Sequence, residues 1–215
     1  MEACPCTSMN IKSHLLKAWL SPSFPIGAFS YSHGLEYEIF SGEVFDKQSL
    51  TDWLEVILNQ GSAWNDCLLI CAVFEGKDVG ELAEALASSK ERYLETMTQG
   101  KAFAKTATIL LGKEIKPAAL PISVAQASYE AGIGVEELLP FYLHSLAANL
   151  ISVAVRLIPL GQTEGQIVLQ SFFETFNQIA IKAQTSSLEC LNTSSFRAEL
   201  AAMKHEEMTT RIFRT

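Results

Sequence analysis

The chain has 215 residues, 48% of them hydrophobic and 19% charged, and carries a net charge of −8. That supplies the apolar material for one sizeable core, and it argues against binding to a nucleic-acid backbone, because no run of Lys or Arg occurs anywhere. The low charged fraction points to a surface partly covered by a partner or a second copy, and five scattered cysteines (Cys4, Cys6, Cys67, Cys71, Cys190) with no signal-peptide pattern suit a reducing cytoplasm.

Met1–Ser8 reads as a loose end, with residues 1–9 flexible, and its Cys4-Pro5-Cys6 pair offers two thiols where a closed metal site needs four ligands. Ser8 or Asn10 is placed to cap a first helix through Ile11, Leu15, Ala18 and Trp19, which Ser21-Pro22 ends. Pro22 and Pro25 then hold the chain extended, and Gly27 lets it turn back. Ala28–Phe40 is expected as a helix with Ala28, Tyr31, Leu35 and Ile39 on one face and Phe29, His33, Glu36 and Phe40 on another. Its small residues Ala28, Ser30, Ser32 and Gly34 bare the backbone for close approach by another element or a partner.

Asp46 is an expected N-cap for a helix whose Leu50, Trp53, Leu54, Ile57 and Leu58 repeat at helical spacing up to Gly61. Ala63–Phe74 reads as a buried helix in which Cys67 and Cys71 are small core residues. After a turn at Gly76–Gly80 and a short helix at Glu81–Ala87, Ser88-Ser89-Lys90-Glu91 resembles a capping box opening a long helix to Leu111, stopped by Gly112. Pro121 opens a helix ending at Gly132, and Val135–Leu157 is the most apolar helix of the chain. Pro140, His144, Asn149 and Arg156 interrupt that helix and mark it as a core element, with no membrane span expected. Asn149 is expected to satisfy main chain at the Ser21–Glu36 turn, while for Arg156 two readings stand level, pairing with a carboxylate and shaping the Pro159–Gly165 loop for recognition. One helix is expected from Thr163 to about Gln184, and a last one from Phe196 to Met208. With no segment of period two, the fold class is all-α: a single-domain bundle of about eight to ten helices spanning 1–215.

The stretch Phe24–Glu36 resembles the signature of the UreF type of urease accessory protein. Three further segments agree with it: Asn149–Gln166, Met203-Lys204-His205-Glu206 and Arg211-Ile212-Phe213-Arg214-Thr215. The resemblance implies a helical protein, commonly a homodimer, with no bound catalytic cofactor and no metal of its own. It implies assembly with a second accessory protein, UreD (also called UreH), and recruitment of the GTPase UreG, so that Ni²⁺ reaches the urease apoprotein. Matching motif to motif, it places partner contact on Phe29, Tyr31 and His33, on Gly161 and Gln162, and on Arg211, Ile212, Phe213 and Arg214. The family usually ends Arg-Leu-Phe-Arg-Ser, so Ile212 and Thr215 are mild departures.

Residues 209–215 read as a flexible tail with no core to join, ordered when a partner buries its aromatic and two arginines. On that expectation, deleting it leaves the melting temperature nearly unchanged. The four histidines are far apart, and no dinucleotide or phosphate-loop motif is present, so no catalytic residue is assigned. Two enzymatic alternatives remain: GTPase activation through Arg211 or Arg214, and a small-molecule enzyme using His33 with Glu36.

Overall fold

The computed structural model describes residues 5–192 and 194–215, with side chains from Ile11 onward. Cys4 and the side chain of Cys6 therefore lie outside the described residues. The helices are α1 (Pro5–Trp19), α2 (Leu35–Phe40), α3 (Lys47–Gln60), α4 (Ser62–Phe74), α5 (Gly80–Ala85), α6 (Lys90–Leu111), α7 (Leu120–Glu130), α8 (Val135–Leu157), α9 (Gln162–Ser171), α10 (Phe173–Gln184) and α11 (Phe196–His205). No strand occurs among the described residues, and the fold is all-α as the periodicity requires.

Helix α8 is the hub, packing on α2, α4, α9 and α10. Leu138, Leu139, Leu143, Ala147, Leu150 and Ala154 are almost fully buried along it. Its length and composition suit a membrane span, yet half of the apolar window is covered by neighbouring helices. Pro140 sits in the second turn, past the first-turn amides that have no helical partner to lose. Around this hub, α3 and α4 form a tight pair, and α6 lies along α7. Gly100 is what lets α6 approach so closely, because a Cβ there would stand 1.9 Å from the carbonyl oxygen of Ala118.

Several expected boundaries are physical caps. The Asp46 carboxylate accepts from Ser49 N–H at 2.9 Å, and the Ser49 hydroxyl accepts from Asp46 N–H at 3.1 Å, closing a reciprocal box at the start of α3. Ser89 caps α6 through Arg92 N–H at 3.1 Å, but Glu91 turns inward and the expected reciprocal box is not made. The helix expected over 163–184 is divided at Phe172. There Ser171 Oγ bonds back to Val168 O at 2.7 Å and the Phe172 ring is buried, which turns the chain without leaving the helical region. The first helix begins at Pro5, ahead of the expected caps.

The largest departure lies in the expected helix 28–40. Ala28–Ser30 makes one 3-10 turn, Tyr31 is extended, and His33 (φ 58°) and Gly34 (φ 79°) are both left-handed before α2 begins at Leu35. The two proposed faces of that helix therefore do not exist. Gly34 is confined by more than its dihedral angle, since a Cβ would sit 2.8 Å from the main-chain nitrogen of Ala202 in α11. Gly34→Ala combines left-handed strain with that collision and is expected to cost about 2 kcal/mol or more in urea unfolding, whereas Gly42→Ala, where a Cβ meets nothing, is expected to cost only its strain of about 1 kcal/mol.

Candidate functional site

The bend at residues 28–34 exposes main-chain groups that a helix would have used internally, and something must satisfy them. The partner is the closing segment 211–215. Arg214 N–H donates to Ser30 O at 2.8 Å, Ser32 N–H donates to Thr215 O at 2.8 Å, and the Ser32 hydroxyl donates to the same oxygen. The bare backbone predicted from Ser30 and Ser32 is thus met by the chain itself.

Beneath this seam Glu36, only 5% exposed, accepts three hydrogen bonds from distant sequence. They come from Ile212 N–H at 2.6 Å, Phe213 N–H at 2.9 Å and the His205 imidazole Nε2 at 2.9 Å. The other ring nitrogen of His205, a residue with no exposure, meets Glu91 at 2.7 Å, and Glu91 also holds the Arg211 guanidinium. Both imidazole nitrogens face carboxylate oxygens, an arrangement satisfied by two N–H donors. A second group continues from Thr215, whose hydroxyl donates to Glu95 at 2.9 Å and accepts from His33 N–H at 3.4 Å. Glu95 is paired with Arg92 and lies 3.7 Å from His33 Nδ1, while His33 Nε2 meets Ser62 Oγ at 2.7 Å.

The charge states follow from these surroundings. Burial pushes His33 down, helped by the nearby Arg92 charge, so the ring is neutral near pH 7. Burial is the largest single influence on Glu95 and opposes its ionisation, but the Arg92 guanidinium and the His33 contact together outweigh it and hold the carboxyl down at about 2. Asp66 of α4 borders this cluster and differs from it. Burial raises its pKa to about 6, and one hydrogen bond, from Tyr142 OH at 2.8 Å, opposes the rise.

Residues 209–215 are therefore not a tail without a core to join. Phe213 is 4% exposed and Thr215 2%, and Phe213 belongs to the main apolar cluster. The guanidinium of Arg156 lies 5.8 Å from the Phe213 ring centre and reaches Phe29 O at 3.4 Å, and among the described residues it makes no ion pair with a carboxylate. Asn149 does satisfy main chain at the bend, donating to Tyr31 O at 3.3 Å. Tyr31 and His33 are buried, whereas Phe29 (57%) and Ile212 (72%) project outward with Arg214. The pair His33 with Glu36 does not form: the left-handed pair at 33–34 sends His33 to Ser62 and Glu95 and leaves Glu36 to His205. Gly161 and Gln162, exposed at the start of α9, have no hydrogen bond to the bend or to the closing segment among the described residues.

Sequence reasoning missed Glu91, Glu95, Arg92 and His205 as parts of one site. His205 sat inside the Met203–Glu206 motif and was the available signal. Among the described residues no group of three or more His, Cys, Asp or Glu side chains is arranged to hold a metal ion. The arrangement fixes the main chain of the bend and of the closing segment.

A family model described as UreF matches residues 44–173. The urease accessory protein UreF of Cereibacter sphaeroides is 45% identical over 203 residues, covering 93% of this chain and 97% of its own. The UreF proteins of Roseobacter denitrificans, 41% identical over 205 residues, and Rhodopseudomonas palustris, 39% over 218, cover 93% of this chain and 92% and 91% of their own.

Two measurements check the site. Replacing Glu36 by Ala strands His205 and two buried amides, and chemical unfolding is expected to show a loss of about 3–5 kcal/mol. For Asp66, the folded pKa lies above the unfolded one, so the folded state gains stability as pH falls through about 6 and carries the cost of ionisation above it. Asp66→Asn keeps an acceptor for Tyr142 and is expected to stabilise the protein at pH 8 by roughly 2–3 kcal/mol, a gain that shrinks towards pH 5.

Proposed function

The chain belongs to the UreF family of urease accessory proteins, and on that premise we propose that it works as a docking platform in urease maturation. In this reading it binds UreD/UreH, recruits the GTPase UreG, and acts in the cytoplasm as a homodimer. Ni²⁺ is the cargo that these neighbours carry to the urease apoprotein; the chain itself turns over no substrate.

One observation carries the reading. Phe29, Ile212 and Arg214 stand outward on a base whose polar groups are buried and mutually satisfied. Protein interfaces draw most of their energy from a few aromatic, aliphatic and Arg anchors held in one geometry, and a rigid base avoids the entropy of ordering them on contact. Tyr31, His33 and Phe213 support these anchors from behind. Gly161 and Gln162, exposed at the start of α9, offer a separate surface for a second partner.

A second reading is favoured by one contrast between the two arginines. Arg211 is committed to Glu91, while the Arg214 side chain has no ion pair or hydrogen bond among the described residues. If the chain also activates a GTPase, Arg214 is the residue free to reach the transferring phosphate. Stimulation of GTP turnover by UreG that disappears in Arg214→Ala would identify that activity, and unchanged turnover would remove it.

The docking reading separates stability from capture. Deleting residues 209–215 is expected to lower the melting temperature by several degrees, because Phe213 and the contacts of Glu36 go with it. The double substitution Phe29→Ser with Ile212→Ser touches only exposed side chains and is expected to shift stability by less than about 1 kcal/mol. It is nevertheless expected to weaken capture of UreD/UreH or UreG in a pull-down at least tenfold. Full capture by this folded variant would overturn the proposal.

A further inference from the structure

A cavity of about 690 Å³, within the size range of a small-molecule site, opens between α1, α6, α8 and α10 and the bend at 26–33. One stripe of α8 runs along it: Phe141, Ser145, Ala148, Ser152 and Arg156 all line the cavity at helical spacing. Much of α8 is fully buried, but the first four of these side chains are only half-buried and Arg156 is exposed, so no neighbouring helix closes over the stripe. At a rise of 1.5 Å per residue the stripe is about 22 Å long. It is apolar at Phe141 and polar at Ser152 and Arg156. Ile26, half-buried, and Phe173, 47% exposed, stand beside it.

The polar lining has cations and donors in excess. Lys17, Arg92 and Arg156 face Asp66 and Glu95. Arg92 and Glu95 are paired, and burial holds His33 neutral and pushes His144 down. That leaves Lys17 and Arg156 against Asp66, whose own ionisation burial resists. The Trp19 indole N–H, on a side chain 1% exposed, has no acceptor either. Arg156 is the most available of these groups. One of its N–H groups donates to Phe29 O at 3.4 Å, and among the described residues it makes no ion pair. Ser152, one turn earlier on the same stripe, has no hydrogen-bond partner among the described residues. A guanidinium fork with most of its donors unengaged matches a carboxylate, which it can hold through two parallel bonds.

We propose that this cavity binds a small organic carboxylate with an unbranched apolar body, its charged end on Arg156 and Ser152 and its body along the α8 stripe towards Phe141, beside Ile26 and Phe173. Such a ligand brings the negative charge and the acceptors that the lining lacks, and it leaves the body on surfaces that are already open. Phe29 lines the same cavity and holds Arg156 through its carbonyl, so the site adjoins the docking patch. Binding is nevertheless a property of the chain alone, and its failure would leave the docking reading standing.

The test compares octanoate with octanamide, its neutral analogue of matching shape, and with octylamine, its cationic one, by calorimetric titration into the full chain at pH 7.5. Octanoate is expected to bind roughly tenfold more tightly than octanamide, the gain of a charge-assisted contact over a neutral one, and octylamine more weakly than either. Arg156→Gln is expected to erase the preference for octanoate while circular dichroism stays helical. Should that variant fail to fold, Ser152→Glu is expected to erase it instead, by placing a carboxylate of the chain beside Arg156. Equal affinity for octanoate and octanamide, tightest binding of octylamine, no binding of any of the three, or a preference for octanoate that survives in a folded variant would overturn the proposal.

Discussion

The Glu36 carboxylate is the contact on which the working surface depends. Its two oxygens gather an imidazole from the end of α11 and two consecutive main-chain amides, and so tie the start of α2 to the closing segment. A buried carboxylate is costly unless its lone pairs are filled, and these three donors fill them. Once they are in place the main chain at Ser30 and Ser32 has its partner as well, and Phe213 is drawn against Arg156. Structure and presentation share these atoms.

The same polar seam divides the closing segment into two sets of side chains. Phe213 and Thr215 point inward and Arg211 reaches Glu91, whereas Ile212 and Arg214 are left outside. The chain bends at Ile212 and Phe213, which brings both of their amides onto Glu36 and divides the side chains between core and solvent. Under the docking proposal, a partner would meet a surface whose entropy of ordering has already been spent in folding, with charge and apolar contact both available in a patch bounded by Phe29.

Local signals in the sequence were sufficient for most helices. Asp46, Ser89, Gly112 and Pro121 act at the termini through bonds or dihedral angles confined to a single turn, and the apolar stripe of α3 is buried as its spacing requires. The stretch 28–40 could not be resolved that way. Its residues suit a helix in isolation, and the break at His33 and Gly34 is imposed by α11 and the closing segment, neither of which is near in sequence. The split at Phe172 has a similar origin in a buried ring. Candidate contact residues fared unevenly for the same reason. Phe29, Ile212 and Arg214 are exposed, but Tyr31, His33 and Phe213 are not, and only the tertiary packing distinguishes them. Glu91 reads locally as the closing member of a capping box and Glu95 carries no local signal, because their partners His205, Arg211 and Thr215 lie beyond residue 200.

The bond between Ser32 and Thr215 spans 183 residues. During synthesis the bend emerges early and waits with its amides and Glu36 unfilled until the polypeptide has been made and released as far as Thr215. Contacts of such long range close late, since the loop entropy between their ends has to be overcome first. A chain lacking residues 211–215 would consequently carry most of the bundle and none of the finished patch, so five residues decide whether that surface forms.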